Sequence, residues 1–239
     1  MKILILLFLA VLILTAPADH EVKSLKGYYD FSNEFKMYSG YLTIQASPLI
    51  KVHYLFVTSK NQPSTDDLVM WSNGGPGCSS LLGTSPLTPG FLTELGPHMM
   101  FQGSDNLAPS SNPFTWNTNA NMLFFETPPG VGFSVNQDKS YQYNDTRSAQ
   151  DNMAAIREWF KLFPEYEGNR FWITGESYCG MYIPLVTDLI LRNKDKILPS
   201  GKELNFRGIM IGNGVMLTDL HWRREARNKF YTKHYHVGP

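Results

Sequence analysis

The stretch FWITGESYCGMYIP, residues 171–184, decides the fold. It opens on an apolar run, Phe171 to Thr174. It then passes through Gly175-Glu176-Ser177-Tyr178-Cys179-Gly180 and enters a segment with helical character. Strand, then Gly-x-Ser-x-small-Gly, then helix is the setting of a nucleophile elbow, in which a tight turn lifts a serine hydroxyl above the end of a strand. Small neighbours are needed there, and Gly175, Cys179 and Gly180 supply them. The same segment also fits a plain strand–helix turn whose serine caps the helix. The acid beside the serine needs its own explanation, because a charged Glu176 would repel an attacking alkoxide and a developing oxyanion.

Outward from the elbow, other apolar runs end in turns. Tyr38 to Ile44 and Lys51 to Thr58 flank Ser47-Pro48 and read as an antiparallel hairpin. Asp67 to Ser72 runs into Asn73-Gly74-Gly75-Pro76-Gly77, Asn121 to Glu126 into TPPGVG, and Arg207 to Ile211 into Gly212-Asn213-Gly214. Continuous apolar strands of this kind indicate a parallel sheet covered on both faces. Between Thr146 and Phe163 the residues Ala149, Met153, Ile156, Trp159, Phe160 and Phe163 recur at helical spacing, with Asn144 or Asp145 as cap and Pro164 beyond the end. A second helix is expected over Tyr182 to Asn193 and a third over Thr218 to Tyr231. Gly83 to Pro113 reads as a long ordered loop, because it carries Phe91, Leu92 and Leu95, with Phe114 next to it. A hairpin leading into strand–helix alternation gives an α/β fold: a mixed, mostly parallel sheet with helices on both faces.

Bulk properties exclude several functions. The 239 residues carry no net charge and 18% charged residues, which argues against a polybasic nucleic-acid binder and against an acidic solvating chain. Lys2, the apolar run Ile3 to Leu14 and Ala16-Pro17-Ala18 read as a secretory signal peptide over residues 1–18. The run is too short for a membrane span, which takes about 20 residues, so no membrane association is expected after cleavage. Asn144-Asp145-Thr146 is a glycosylation sequon. Cys78 and Cys179 are the two cysteines, too few for a disulfide scaffold; packing or mutual pairing are both open to them. No metal-ligand cluster or nucleotide loop is present, so neither a metal nor another cofactor is called for.

The loop WSNGGPGCSS, residues 71–80, adds a second chemical element. In an elbow hydrolase one oxyanion donor is the backbone N–H after the nucleophile, here Tyr178, and the other comes from a loop after an earlier strand. Gly74 and Gly75 can turn their N–H groups to a ligand with no Cβ in the way.

Together, WSNGGPGCSS, FLTELGP, NPFTWNTNANMLFFETPPGVGFS, ITGESYCG and FRGIMIGNG resemble the serine carboxypeptidases, α/β-hydrolase-fold exopeptidases, from about Tyr28 onward. The resemblance implies that Ser177 is the nucleophile, that Gly75 and Tyr178 form the oxyanion hole, and that Asn73, Gly74, Glu94 and Glu176 hold the substrate's terminal carboxylate. It implies peptide or protein C-termini as substrate and a place in the secretory pathway, outside the cell or in a lysosome or vacuole. Its partner classes extend to a second copy of the chain as a homodimer. It also explains Glu176. Two carboxylates in contact cannot both stay charged, so Glu176 beside Glu94 is expected to keep a proton and act as a neutral donor.

The family pattern also implies an Asp and a His after the GIMIG strand. The late candidates Asp219, His221, His234 and His236 fall in the wrong segments for those roles. Residues 19–239 therefore read as a partial α/β-hydrolase domain cut before its last strands. That leaves three readings: a fragment of a longer enzyme, a noncatalytic secreted binding paralogue, or a relocated histidine. A serine without its base is a weak nucleophile. An acyltransferase on the same scaffold shares the acyl-enzyme step and is the alternative activity.

Overall fold

The computed structural model describes residues 16–25, 29–30, 34–82, 90–99 and 110–216. Its main sheet has seven strands: β1 (Met37–Gln45), β2 (Ile50–Val57), β3 (Asp67–Ser72), β4 (Ala120–Phe125), β5 (Val135–Asn136), β6 (Phe171–Glu176) and β7 (Phe206–Gly212). Their order is β7-β6-β3-β4-β2-β1, with β5 on β2. The expected hairpin is present, pairing Met37 with Val57 and Gln45 with Ile50. β2 meets β4 antiparallel, and β4-β3-β6-β7 are all parallel. The sheet is therefore mixed, as expected, but not mostly parallel: three of its strand pairings are parallel and three antiparallel, because the hairpin and β5 add antiparallel partners at one side.

Successive side chains on a strand point to opposite faces, and the core divides accordingly. On one face Tyr54, Phe56, Leu68, Met70 and Ile173 pack with Trp159, Phe160 and Phe163. On the other, Leu55, Val57, Val69, Trp71 and Phe124 pack with Phe91 and Leu95. Both long helices, α1 (Asp145–Leu162) and α2 (Cys179–Asn193), contribute to the first face. Among the described residues the second face is covered largely by the single helical turn Phe91–Leu95. Each large side chain buried here contributes about 1.5–3 kcal/mol.

α1 forms for the reasons visible in its sequence. Asn144 caps it, its Oδ1 accepting from the Arg147 N–H at 2.8 Å, and its buried stripe is the expected Ala149, Met153, Ile156, Trp159 and Phe160. α2 begins at Cys179, three residues earlier than the Tyr182 start expected, and carries Pro184 inside it. Proline has no N–H to donate. As the sixth residue of the helix it leaves the Gly180 carbonyl without its i+4 donor, while the first turn is held by the Gly180 and Met181 N–H groups donating to the Ser177 and Tyr178 carbonyls. Phe114, beside the loop expected to be ordered by its apolar residues, is 83% exposed, while Phe91 and Leu95 are buried. β7 exposes Ile209 and Met210, so its end of the sheet is not covered among the described residues. The expected helix over Thr218 to Tyr231 and most of the expected signal peptide lie outside the described residues. Among those described, no helix is long and apolar enough to cross a membrane.

Candidate active site

Ser177 stands at the turn between β6 and α2 with φ +56°, left-handed backbone in a residue that is not glycine. That conformation costs a Cβ-bearing residue roughly 1–2 kcal/mol, and the surrounding bonds hold it in place. The Ser177 N–H donates to the Gly212 carbonyl at 3.0 Å, and the Ser177 carbonyl accepts from Gly180 at 3.0 Å and Val215 at 2.8 Å. The serine does not cap the helix; Tyr178 occupies the N-cap position, with no side-chain cap bond. The small neighbours are required sterically. A Cβ on Gly175 would sit 2.5 Å from the Ser72 carbonyl, and one on Gly180 would sit 2.5 Å from that of Val215.

The glycine loop is pressed against this turn. A Cβ on Gly74 would lie 2.4 Å from the Tyr178 amide nitrogen and 2.9 Å from the Ser177 Cβ. Gly75 takes φ +113°, and the Gly74 carbonyl accepts from the Cys78 N–H at 3.1 Å. The segments carrying both expected oxyanion donors, Gly75 and Tyr178, are thereby brought together.

The acid beside the serine has a partner. Asn73, buried, points its Nδ2 at Glu176 Oε1, 3.4 Å away. Its Oδ1 is occupied by the Trp71 indole N–H at 2.7 Å, which fixes the amide so that its NH2 faces the acid. Burial, and then the negative charge of Glu94, push the Glu176 carboxyl above the ordinary carboxylate range. Glu94 lies on the Phe91–Leu95 turn with its side chain exposed, near enough to act on Glu176 through its charge.

Trp71 is a positioning residue that sequence reasoning missed. The usable signal was its i, i+2 relation to Asn73, which puts both on one side of an extended segment. A second group that sequence reasoning missed is Glu126, 1% exposed at the end of β4. It accepts from the Ser79 hydroxyl and from the Phe133 N–H at 2.6 Å, and His53 Nδ1 lies 3.5 Å away. Burial alone would raise its carboxyl, but bonds to His53, Phe133 and Ser79 together hold it below the ordinary range. It ties the loop after β3 to the loop after β4. The acid closing the apolar run NMLFFE was the available signal.

Cys78 and Cys179 are both buried, and no disulfide joins them. The Cys179 thiol donates to the Ser72 carbonyl at 3.1 Å, and burial pushes its pKa up to about 12. Asn144 is exposed at the head of α1. No metal-binding group of His, Cys, Asp and Glu occurs among the described residues. Nor does any described histidine hydrogen-bond to Ser177: His20 is bonded to Tyr54, His53 to Ser39, and His98 packs beside Phe35. Asp219, His221, His234 and His236 lie outside the described residues.

Residues 28–237 match the serine carboxypeptidase family. The chain is 42% identical over 200 residues to the lysosomal protective protein of Mus musculus, covering 84% of this chain and 38% of that one. It is 39% identical over 212 residues to a serine carboxypeptidase of Caenorhabditis elegans, covering 87% and 35%. It thus spans less than half the length of these curated relatives. A crystal structure of a prohormone-processing carboxypeptidase from Saccharomyces cerevisiae superposes with a TM-score of 0.73 at 26% identity, over 90% of this chain and 47% of that one. A strained serine elbow backed by the glycine loop and flanked by the Asn73–Glu176 pair, on a sheet shared with these proteins, identifies the chain as a member of the serine carboxypeptidase family.

Proposed function

We propose that Ser177 is the nucleophile of a serine carboxypeptidase site that releases C-terminal residues from peptides. The observation that carries this reading is the Asn73–Glu176 pair, one residue before the serine. An exopeptidase must grip a free carboxylate beside the scissile bond. A neutral Glu176 donates one hydrogen bond to that carboxylate, and the Asn73 NH2 donates another. Glu94 and Gly74 complete the grip, Glu94 by keeping the proton on Glu176 and Gly74 by letting the loop approach. Attack by Ser177 Oγ on the scissile carbonyl gives a tetrahedral oxyanion facing the Gly75 and Tyr178 N–H groups. Collapse releases the terminal amino acid and leaves an acyl-enzyme, which water hydrolyses. Preorganised donors of this kind are a large term in acyl transfer.

Proton transfer from the serine needs a base, and none is bonded to Ser177 among the described residues. We expect the 239-residue chain by itself to keep only the contribution of its oxyanion hole and binding groups, about 10³–10⁴-fold over water. Residues 1–18 act as a signal peptide in this reading, and residues 19–239 form the N-terminal part of the hydrolase domain. The protein enters the secretory pathway, bound for a lysosome, a vacuole or the exterior, with a glycan on exposed Asn144. The lysosomal name of a relative supports that destination.

The test is binding of an N-blocked dipeptide as free acid and as amide. The acid should bind at least about tenfold tighter, and Glu176→Ala should erase the difference. Equal binding of acid and amide would remove the exopeptidase reading. A fluorophosphonate should label Ser177 slowly in this chain; fast labelling would show that a base is in place.

A further inference from the structure

We propose that Asn213 is a self-modifying site: its side chain exchanges ammonia for water by way of a cyclic succinimide, and the isoaspartyl product loosens the turn that holds Ser177. The proposal does not rest on the peptidase reading.

The chain holds two Asn-Gly pairs, Asn73-Gly74 and Asn213-Gly214. A glycine after asparagine leaves its backbone nitrogen open to the side-chain amide, because no Cβ stands in the way. The fold treats the two pairs differently. Asn73 is 3% exposed. Its Oδ1 accepts from the Trp71 indole N–H at 2.7 Å, and its Nδ2 lies 3.4 Å from Glu176 Oε1. Gly74 is pressed against the Tyr178 amide and the Ser177 Cβ. The Asn73 amide can reach the Gly74 nitrogen only by giving up its bonds. Asn213 and Gly214, by contrast, are exposed. Among the described residues the Asn213 side chain makes no hydrogen bond, and the Gly214 N–H donates none. Asn213 has φ +48°, a left-handed conformation in which asparagine is enriched. Its backbone shape accounts for the residue type there, and its amide is idle.

The reaction balances without an oxidant or reductant. The Gly214 nitrogen, on losing its proton, attacks Asn213 Cγ. The bond from Cγ to the side-chain nitrogen breaks, and that nitrogen leaves as ammonia. Water then opens the succinimide. Cleavage at Cγ leaves an aspartate, and cleavage at the backbone carbonyl carbon leaves an isoaspartate, whose chain runs through Cβ and Cγ. One water enters and one ammonia departs. The attacking nitrogen must be deprotonated, so the rate rises with pH.

Residues 212–215 strap the elbow. The Gly212 carbonyl accepts from the Ser177 N–H at 3.0 Å, and the Val215 N–H donates to the Ser177 carbonyl at 2.8 Å. Asn213 lies between these two anchors. An isoaspartyl link adds one backbone carbon between them, about 1.5 Å of chain. The strap has little slack to absorb it: a Cβ on Gly214 would sit 2.6 Å from Ile211 Cγ2, and one on Gly180 would sit 2.5 Å from the Val215 carbonyl. N–H···O bonds extend to only about 3.2 Å, so an anchor is lost, and with it part of the restraint on the left-handed serine.

The experiment ages the folded 239-residue protein at mildly alkaline pH and follows both asparagines by peptide mapping, with isoaspartyl methyltransferase labelling to mark the isomer. Asn213 should convert at least about tenfold faster than Asn73, and in urea the two should convert alike. Equal rates in the folded protein, or a difference that persists in urea, overturn the proposal. The isoaspartyl form, separated by ion exchange, is then compared with unaged protein by amide hydrogen exchange. The Ser177 and Val215 amides should lose protection by at least about tenfold. Freshly prepared Asn213→Asp, which adds the charge without the extra carbon, should keep it. Asn213→Gly, which accepts the left-handed backbone and has no side-chain amide, should not age at this position. Unchanged protection in the isoaspartyl form, or equal loss in Asn213→Asp, also overturns the proposal. The ageing contrast needs no variant, so a misfolded mutant does not shield it. Neither readout uses a substrate, so failure here leaves the acid-versus-amide result untouched, and the reverse also holds.

Discussion

The Asn73 side-chain amide lies 3.4 Å from a Glu176 carboxylate oxygen, although 103 residues separate them in the chain. The contact joins the loop after β3 to the end of β6, two adjacent parallel strands. It places a donor and an acid side by side where the sheet meets the elbow.

The first prediction concerns the Glu176 proton. Its pKa is raised by burial and by Glu94, so the neutral donor persists above the usual carboxylate pKa, about 4.3, and disappears as pH climbs through the raised value. Affinity for an N-blocked dipeptide acid should fall over that window in the wild type and stay flat in Glu176→Gln. A wild-type affinity that does not change with pH would contradict it. The stability sign is the same: a raised carboxyl favours the fold below the unfolded pKa and loses that benefit as pH rises. Glu176→Gln should therefore gain up to about 1 kcal/mol on the wild type near neutral pH, a figure kept small because the site is partly solvated.

Glu126 should behave in the opposite sense. Its carboxyl is held low despite burial, so its contribution is present above the unfolded pKa and lost as pH falls through the depressed one. Glu126→Gln should lower stability at neutral pH by about 1–3 kcal/mol, and the deficit should shrink on acidification. Urea melts at several pH values measure it; a deficit independent of pH would refute the charged network.

The strain at Ser177 is also measurable. Both Ser177→Ala and Ser177→Gly remove the hydroxyl, but only glycine relaxes φ +56°. Set against the entropy cost of glycine, the glycine variant should still be the more stable by about 0.5–1 kcal/mol. If alanine is equal or better, the turn is not strained. By contrast Gly74→Ala should destabilise by about 2–4 kcal/mol, since its Cβ would meet backbone at 2.4 Å.

Neither thiol should react quickly in the folded protein. Cys179 is fully buried with its pKa pushed up to about 12, and Cys78 is buried as well. A chromogenic disulfide reagent should find two thiols after denaturation and release little colour before it. A count of zero after denaturation would mean that the cysteines had paired.

The sequence by itself determined the strands, the α1 cap and stripe, and the elbow. All of these are local: an apolar run, a 3.6-residue period, and a glycine where a Cβ cannot fit are each written in a few consecutive residues. It also supplied the candidate residues Asn73, Glu176 and Ser177, through motifs that recur with fixed order. What only the tertiary structure decided is who meets whom. Trp71 orients Asn73, Glu126 clamps two loops from inside, Phe114 faces solvent, and the cysteines stay apart. Those outcomes depend on strand order and register, which put residues about a hundred positions apart into contact, and on burial, which sets whether a carboxyl keeps its proton. Neither quantity is carried by the residues nearby in the chain.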